Sequence, residues 1–381
     1  MRQAEGRFLL KKFVIAGGGA ALVAVALSLP LLFSGGASAA PKRICLTGSL
    51  RFDYRSAENG PGKPWKTKPV RNANVELWGR EQALGSVRKL TTQALFTDVS
   101  DGRFRACYTP EAASQSMDLM WVRVSAESGK LWKVTNESGA TFTWNSPVQK
   151  AVSADRSLGA RKPPFGDMRA WHAFDTGNEL WWKRGNPESN CWSARETDDS
   201  TCTELTMQWF PSAPSDAYYE TERNTVHLAG AVPDSEHTVL HESAHFLQHR
   251  LFGGWFPRVT HCNPHWVDKA SSDTCAWVEG FADSAAAYVL GDYRYVGENG
   301  IPISFAHDPA FDNGDTVQGN VGGSLLDLWR TTDGGTWNRT IALLTTHHVA
   351  TFREYFTARS TANLDTGGRA RQLLRNHTIG Y

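Results

Sequence analysis

Apolar residues follow two different rhythms along the chain. From Lys42 to about Val148 they alternate with polar residues in short runs, "RICLTGSLRF", "NANVELWG", "GRFRACY", "DLMWVRVSA" and "KLWKVTN", divided by Gly, Asn, Asp or Pro. A period of two puts successive side chains on opposite faces of a strand, so these runs predict strands joined by turns. Residues 41–148 are therefore expected to form an antiparallel β-sandwich. Asp98 and Asp101 are read as turn formers rather than as a cation site.

Beyond residue 165 the rhythm lengthens. A strand-like "NTVHLAG" (224–230) leads into a stretch that Asp234 or Ser235 can cap as a helix. Leu240, Ala244, Leu247 and Leu251 then recur at helical spacing, and Gly253-Gly254 closes the element. Further helical runs are expected at 276–290, 322–330 and 339–359. Strands mixed with helices predict an α+β domain over residues 165–381. The intervening "QKAVSADRSLGARKPP" (149–164) is small, polar and ends in Pro-Pro, the composition of a linker. Its Arg161-Lys162 pair would also suit a processing cut, which would make the first half a propeptide.

The first forty residues belong to neither regime. A basic "MRQAEGRFLLKK" precedes an uncharged apolar run over residues 13–33 and then small residues at Ala37 and Ala39. That is the layout of a secretory signal, with cleavage after Ala39 or Ala40. The apolar run is also long enough to span a bilayer, so the alternative is an uncleaved anchor. Export is expected, with membrane association only if the segment stays attached. Taking residues 1–40 from a chain of 40 Lys+Arg and 39 Asp+Glu removes four cations and one anion, which leaves a net charge of −2. Nothing in that balance points to nucleic acid.

An exported chain with six cysteines, Cys45, Cys107, Cys191, Cys202, Cys262 and Cys275, is expected to pair them as disulfides. Nearest neighbours in sequence give 45–107, 191–202 and 262–275. No closely spaced Cys-x-x-Cys pair offers a thiolate metal site.

The stretch "EHTVLHESAHFLQHRL" (236–251) carries a histidine at every fourth position. Within it His241, Glu242 and His245 spell H-E-x-x-H on a helix. One turn apart, the two imidazoles face the same way and can share one Zn²⁺, with Glu242 beside them as general base for an activated water. His237 and His249 are too far apart along the axis to join one site together, and each is read as a surface or supporting histidine. A catalytic zinc needs a third protein ligand. Gln248 and Leu251 occupy the positions where the extended H-E-x-x-H-x-x-G-x-x-H pattern requires Gly and His, so that arrangement is excluded. "WVEGFADS" supplies Glu279, with Asp283 one helical turn later to hold a ligand histidine by its outer nitrogen. His261, His265 and Asp268 are rival third ligands.

"HESAH" at 241–245, "EGFAD" at 279–283 and the "NTVHLAG" strand resemble the gluzincin metallopeptidases, the thermolysin-like branch of the zincins. "PVRNANVELWG…TDVSDGRFRACY" resembles transthyretin-like and carboxypeptidase-regulatory-like modules. The first resemblance implies His241, His245 and Glu279 as zinc ligands, Glu242 as base, Asp283 as a supporting group, and a substrate backbone paired with the 224–230 strand. Two features depart from that family: the 262–275 loop between the motifs, and the absence of a clear oxyanion-stabilising group, for which His347 or His348 is the nearest candidate.

The combined expectation is a multidomain chain, an N-terminal β-sandwich followed by an α+β zincin-like metallopeptidase domain. It would be secreted, hold one Zn²⁺ and act on peptide or protein substrates. Two alternatives are an exported binding or adhesion protein with a structural or inactive zinc site, and a zinc hydrolase of a non-peptide substrate. Asn136, Asn338 and Asn376 head glycosylation triplets. Oligomeric state has no signature in the sequence.

Overall fold

The structure is a computed structural model that describes residues 42–111, 115–185, 189–196 and 202–381. The signal or anchor expectation for residues 1–40 lies outside the described residues. No helix among the described residues is long and apolar enough to cross a membrane.

Sixteen strands and seven α-helices are present among the described residues. The strands before the first helix are β1 (Ile44–Arg55), β2 (Trp65–Pro69), β3 (Asn74–Arg80), β4 (Arg88–Lys89), β5 (Arg103–Tyr108), β6 (Met117–Ser125), β7 (Glu127–Ser128), β8 (Trp132–Thr135), β9 (Thr143–Asn145), β10 (Gln149–Val152) and β11 (Arg156–Arg161). Then come α1 (Met168–Lys183), β12 (Leu205–Phe210), β13 (Ala217–Glu220), β14 (Thr225–Ala229), α2 (Glu236–Leu251), α3 (Asp273–Leu290), β15 (Arg294–Val296) and β16 (Pro302–Ser304). The chain ends in α4 (Gln318–Thr331), α5 (Asn338–Leu344), α6 (Phe352–Ala358) and α7 (Gly368–Asn376).

The alternating runs of the first half all become strands, because each buries one face: along β3, Val75, Leu77 and Gly79 face inward between less buried neighbours. One sheet has the order β11-β1-β2 with β5 also on β1, and a second has β10-β6-β3-β4 with β9 on β6. Cys45 and Cys107 face each other in the β1/β5 register and are joined as a disulfide. The pairs 191–202 and 262–275 are also bonded, so all six cysteines pair as nearest neighbours in sequence.

Residues 149–164 are not a linker. They carry β10, which pairs with β6, and β11, which runs parallel to β1 and so breaks the antiparallel pattern. Only Val152 and Leu158 are buried within those two strands, too few to leave an alternation in the text. Nor do the halves separate at residue 148. β8 lies inside a third sheet of order β13-β14-β12-β8-β7, parallel to β12 from Leu205 to Gln208. Its Trp132 is fully buried against Phe174 of α1 and donates its indole N–H to the Phe174 carbonyl. Among the described residues a single apolar core runs from Ile44 to Ile379.

α1 leaves little trace in the sequence, since His172, Asp175, Thr176 and Asn178 are buried in it beside Trp171 and Phe174. The helical run expected at 339–359 is two helices, α5 and α6, broken over residues 345–351. α2 begins where the Ser235 hydroxyl accepts the Thr238 N–H, and α3 where the Ser272 hydroxyl accepts the Cys275 N–H. α3 ends on Gly291, whose φ of 69° closes it in the left-handed conformation. α2 packs against both α1 and α3.

Candidate metal centre

α2 buries Leu240, Ala244, Leu247 and Leu251 completely, which fixes its rotation. The opposite side then carries His241, Glu242 and His245 into a cleft of about 930 Å³. α3 crosses beside it and brings Glu279 to the same floor. His241 Nε2 lies 3.0 Å from Glu279 Oε2 and 3.1 Å from His245 Nε2, and His245 Nε2 lies 3.4 Å from Glu279 Oε2. One turn on, Asp283 is fully buried, and its Oδ1 accepts the His241 Nδ1–H at 2.7 Å.

That last bond leaves His241 Nε2 with a lone pair. Lone pairs from two imidazoles and a carboxylate thus converge within hydrogen-bond distance, an arrangement that repels itself unless a cation sits among them. Two donors bound tetrahedrally to one zinc lie roughly 3.3–3.6 Å apart. The separations here need only tenths of an ångström of adjustment, so this donor set fits Zn²⁺. Electrostatics agree. Desolvation opposes ionisation of Asp283 and Glu279, yet the neighbouring imidazoles hold both carboxyls below their usual range. Against its own desolvation, Asp283 first and Glu279 second raise His241 well above the usual imidazole value. Without a metal the centre would draw in a proton. Glu242 differs: burial pushes its carboxyl up, and the attraction of His241 and His245 only partly offsets this.

Of the rival third ligands, His261 is exposed and Asp268 is paired with Lys269 at 3.1 Å. His265 does reach the centre, with Nε2 3.9 Å from Glu279 Oε2. Neither His237 nor His249 is on the surface. His237 is fully buried between Tyr295 and Phe305, 3.6 Å from Asp283 Oδ1, and His249 is bonded to the Tyr219 hydroxyl and the Gly254 carbonyl. His347 and His348 are engaged elsewhere: His347 with Thr346 and Thr361, His348 with the Phe252 carbonyl and stacked on Trp255.

The 224–230 strand is β14, and both its edges are already taken, by β12 in parallel and β13 antiparallel. It has no free backbone for a substrate. Among the described residues the edges of this sheet are β7 and β13, and β13 lines the cleft with Ala217, Tyr218 and Tyr219. Sequence reading missed β13 because "AYYE" is too short and too polar to signal a strand. It missed Gln318 as well, a lone amide at the start of α4 whose Nε2 donates to Asp283 Oδ2 at 3.0 Å.

A family model described as the mycolysin C-terminal domain matches residues 184–378, and one described as the mycolysin middle domain matches residues 45–170. The gap between the two matches falls within α1, and β8 passes from the middle-domain stretch into the sheet of the C-terminal one. No curated protein matches the chain. Among solved structures, a crystal structure of a 9R-lipoxygenase from Cyanothece PCC8801 is similar at 17% identity and a TM-score of 0.20. That similarity covers 39% of this chain and 25% of the lipoxygenase, and it bears on neither fold nor chemistry here.

Proposed function

The chain belongs to the mycolysin family, whose domains are those of metallopeptidases, and from that premise we propose that it is an exported zinc metallopeptidase with Glu242 as general base. The observation that carries this reading is the convergence of His241 Nε2, His245 Nε2 and Glu279 Oε2 in a cleft that Glu242 also lines. In this reading those three residues hold one Zn²⁺, and Asp283 keeps His241 in the tautomer that a ligand requires. The two sheets built on β1 and β6 serve as the accessory sandwich, and the sheet of β7, β8 and β12–β14 with the helices serves as the zincin-like catalytic part.

When bound, zinc supplies Lewis acidity that polarises a carbonyl and acidifies a water molecule. Glu242 takes the proton of the attacking water on a carboxylate oxygen and passes it to the nitrogen of the leaving amine. Its buried position, which raises its carboxyl, suits it to accept that proton. An extended peptide or protein segment adds to the open edge of β13, with Tyr218, Phe256, Trp266 and Tyr295 along its path. Three disulfides fit the oxidising compartment that export implies.

The test compares zinc content and casein hydrolysis for the wild type and Glu242→Gln. Both should carry one zinc per chain, and the variant should lose at least about a hundredfold in rate. A Glu242→Gln protein that hydrolyses casein at the wild-type rate would sink the assignment.

A further inference from the structure

Asp283 governs more than one imidazole. As a buried carboxylate it only accepts hydrogen bonds: Oδ1 takes the His241 Nδ1–H and Oδ2 takes an amide hydrogen of Gln318. This orients the Gln318 amide so that its oxygen faces outward, 2.8 Å from His265 Nδ1. An amide oxygen also only accepts, so the proton of neutral His265 sits on Nδ1 and its lone pair on Nε2. His241 and His265 therefore share a tautomer, set from one carboxylate, directly in one case and through an uncharged amide in the other. Both present Nε2 to the same oxygen, Glu279 Oε2, at 3.0 and 3.9 Å.

The loop bearing His265 is pinned on both sides. Cys262 is bonded to Cys275 at the start of α3, and the Val267 carbonyl accepts the Gly319 N–H at 2.9 Å. Gly319 packs so closely there that a Cβ would lie 2.5 Å from the Val267 oxygen. Among the described residues, a lone pair held this firmly beside a carboxylate oxygen has no attractive partner, but it is well placed as a further donor to a cation. Catalytic zinc sites can expand from four to five ligands.

We propose that His265 is an additional ligand of the metal held by His241, His245 and Glu279, oriented for that role by Gln318. The inference rests on the metal-centre reading above and adds a residue from the 262–275 loop to it. Gln318 is a positioning residue, acting through His265.

The probe is Co²⁺, titrated into metal-free full-length protein, with affinity measured by chelator competition and ligand geometry by visible absorption. Wild type, His265→Ala, Gln318→Ala and His241→Ala are compared, each checked for folding by thermal melting. His265→Ala should bind Co²⁺ roughly tenfold to a hundredfold more weakly with an altered spectrum, and added imidazole should restore that spectrum. Gln318→Ala should shift both readouts in the same direction by less. A folded His265→Ala protein with wild-type affinity and spectrum overturns the proposal while leaving the three-ligand centre intact. A wild type that binds no Co²⁺, or a His241→Ala protein that binds it as the wild type does, overturns the centre itself and this proposal with it.

Discussion

The Glu58 carboxylate accepts the backbone N–H of His237 at 3.0 Å, across 179 residues of sequence. This contact ties a turn of the first half to the opening turn of α2, one helical turn before His241. The first N–H groups of a helix have no partner within it and carry partial positive charge, so a carboxylate there is favourable. Around it Lys63 and Arg169 hold Asp234, while Lys68 and His172 hold Glu236. The helix bearing the H-E-x-x-H pattern is thus clamped at its start by side chains from β2, α1 and the turn after β1.

Removing that carboxylate by Glu58→Ala leaves the His237 N–H without its partner. We expect a loss of about 1–2 kcal/mol and a melting temperature lower by a few degrees. Calorimetry of the two proteins checks it, and equal melting temperatures would show that the contact contributes nothing.

Glu236 gives the clamp a pH dependence. Although desolvation alone would raise it, the His172 hydrogen bond and the Lys68 charge bring its pKa from 4.5 down to about 2. A depressed carboxyl contributes stability that is fully present above the unfolded value and fades as pH falls through the folded one. On the order of 3 kcal/mol should therefore be lost between pH 4.5 and 2. Denaturant melts of wild type and Glu236→Gln across that range should converge on acidification, whereas parallel curves would refute the assignment.

The two halves should not survive separation. A fragment of residues 165–381 lacks β8, so it exposes the Leu205–Gln208 edge of β12 and loses the Trp132 packing on α1. It should be insoluble or fail to melt cooperatively. A soluble fragment with a sharp transition would instead support a propeptide role for the first half.

Asp283→Asn changes the group that fixes His241. Metal affinity should fall about tenfold to a hundredfold, and Glu279→Ala should cost most of the zinc. Zinc retention during graded dialysis against a chelator separates the three proteins, and full retention by Glu279→Ala would move the third ligand elsewhere.

Gly280 lies next to Glu279 where α3 meets α4. A Cβ there would stand 2.8 Å from the Gln318 carbonyl and from Val321. Gly280→Ala should cost roughly 1–3 kcal/mol and weaken metal binding by displacing both Glu279 and Gln318. A variant as stable as wild type would mean that the helices part without strain.

By itself the sequence determined what depends on spacing within one element. His241 and His245 share a face because they are one helical turn apart, as are Glu279 and Asp283, and no tertiary contact is needed to know it. The alternating runs of the first half were legible as strands for the same reason, and a cap at Asp234 or Ser235 was legible too, of which the structure uses Ser235. The nearest-neighbour disulfides were also legible, since each joins cysteines adjacent in the cysteine order.

Tertiary structure decided everything that rests on contacts between distant segments. Glu279 was the expected third ligand, with His261, His265 and Asp268 as rivals that spacing within one element could not dismiss, and only the packing of α3 on α2 decides which of them meet the two imidazoles. The buried places of His237 and His249, the membership of β8 in the third sheet, and the free edge on β13 rather than β14 follow from layers that the chain builds across a hundred or more residues. Residues 149–164 read as a linker because two buried side chains in two short strands leave no period. Their place is fixed by backbone hydrogen bonds to β6 and β1, which any sequence can make and none announces.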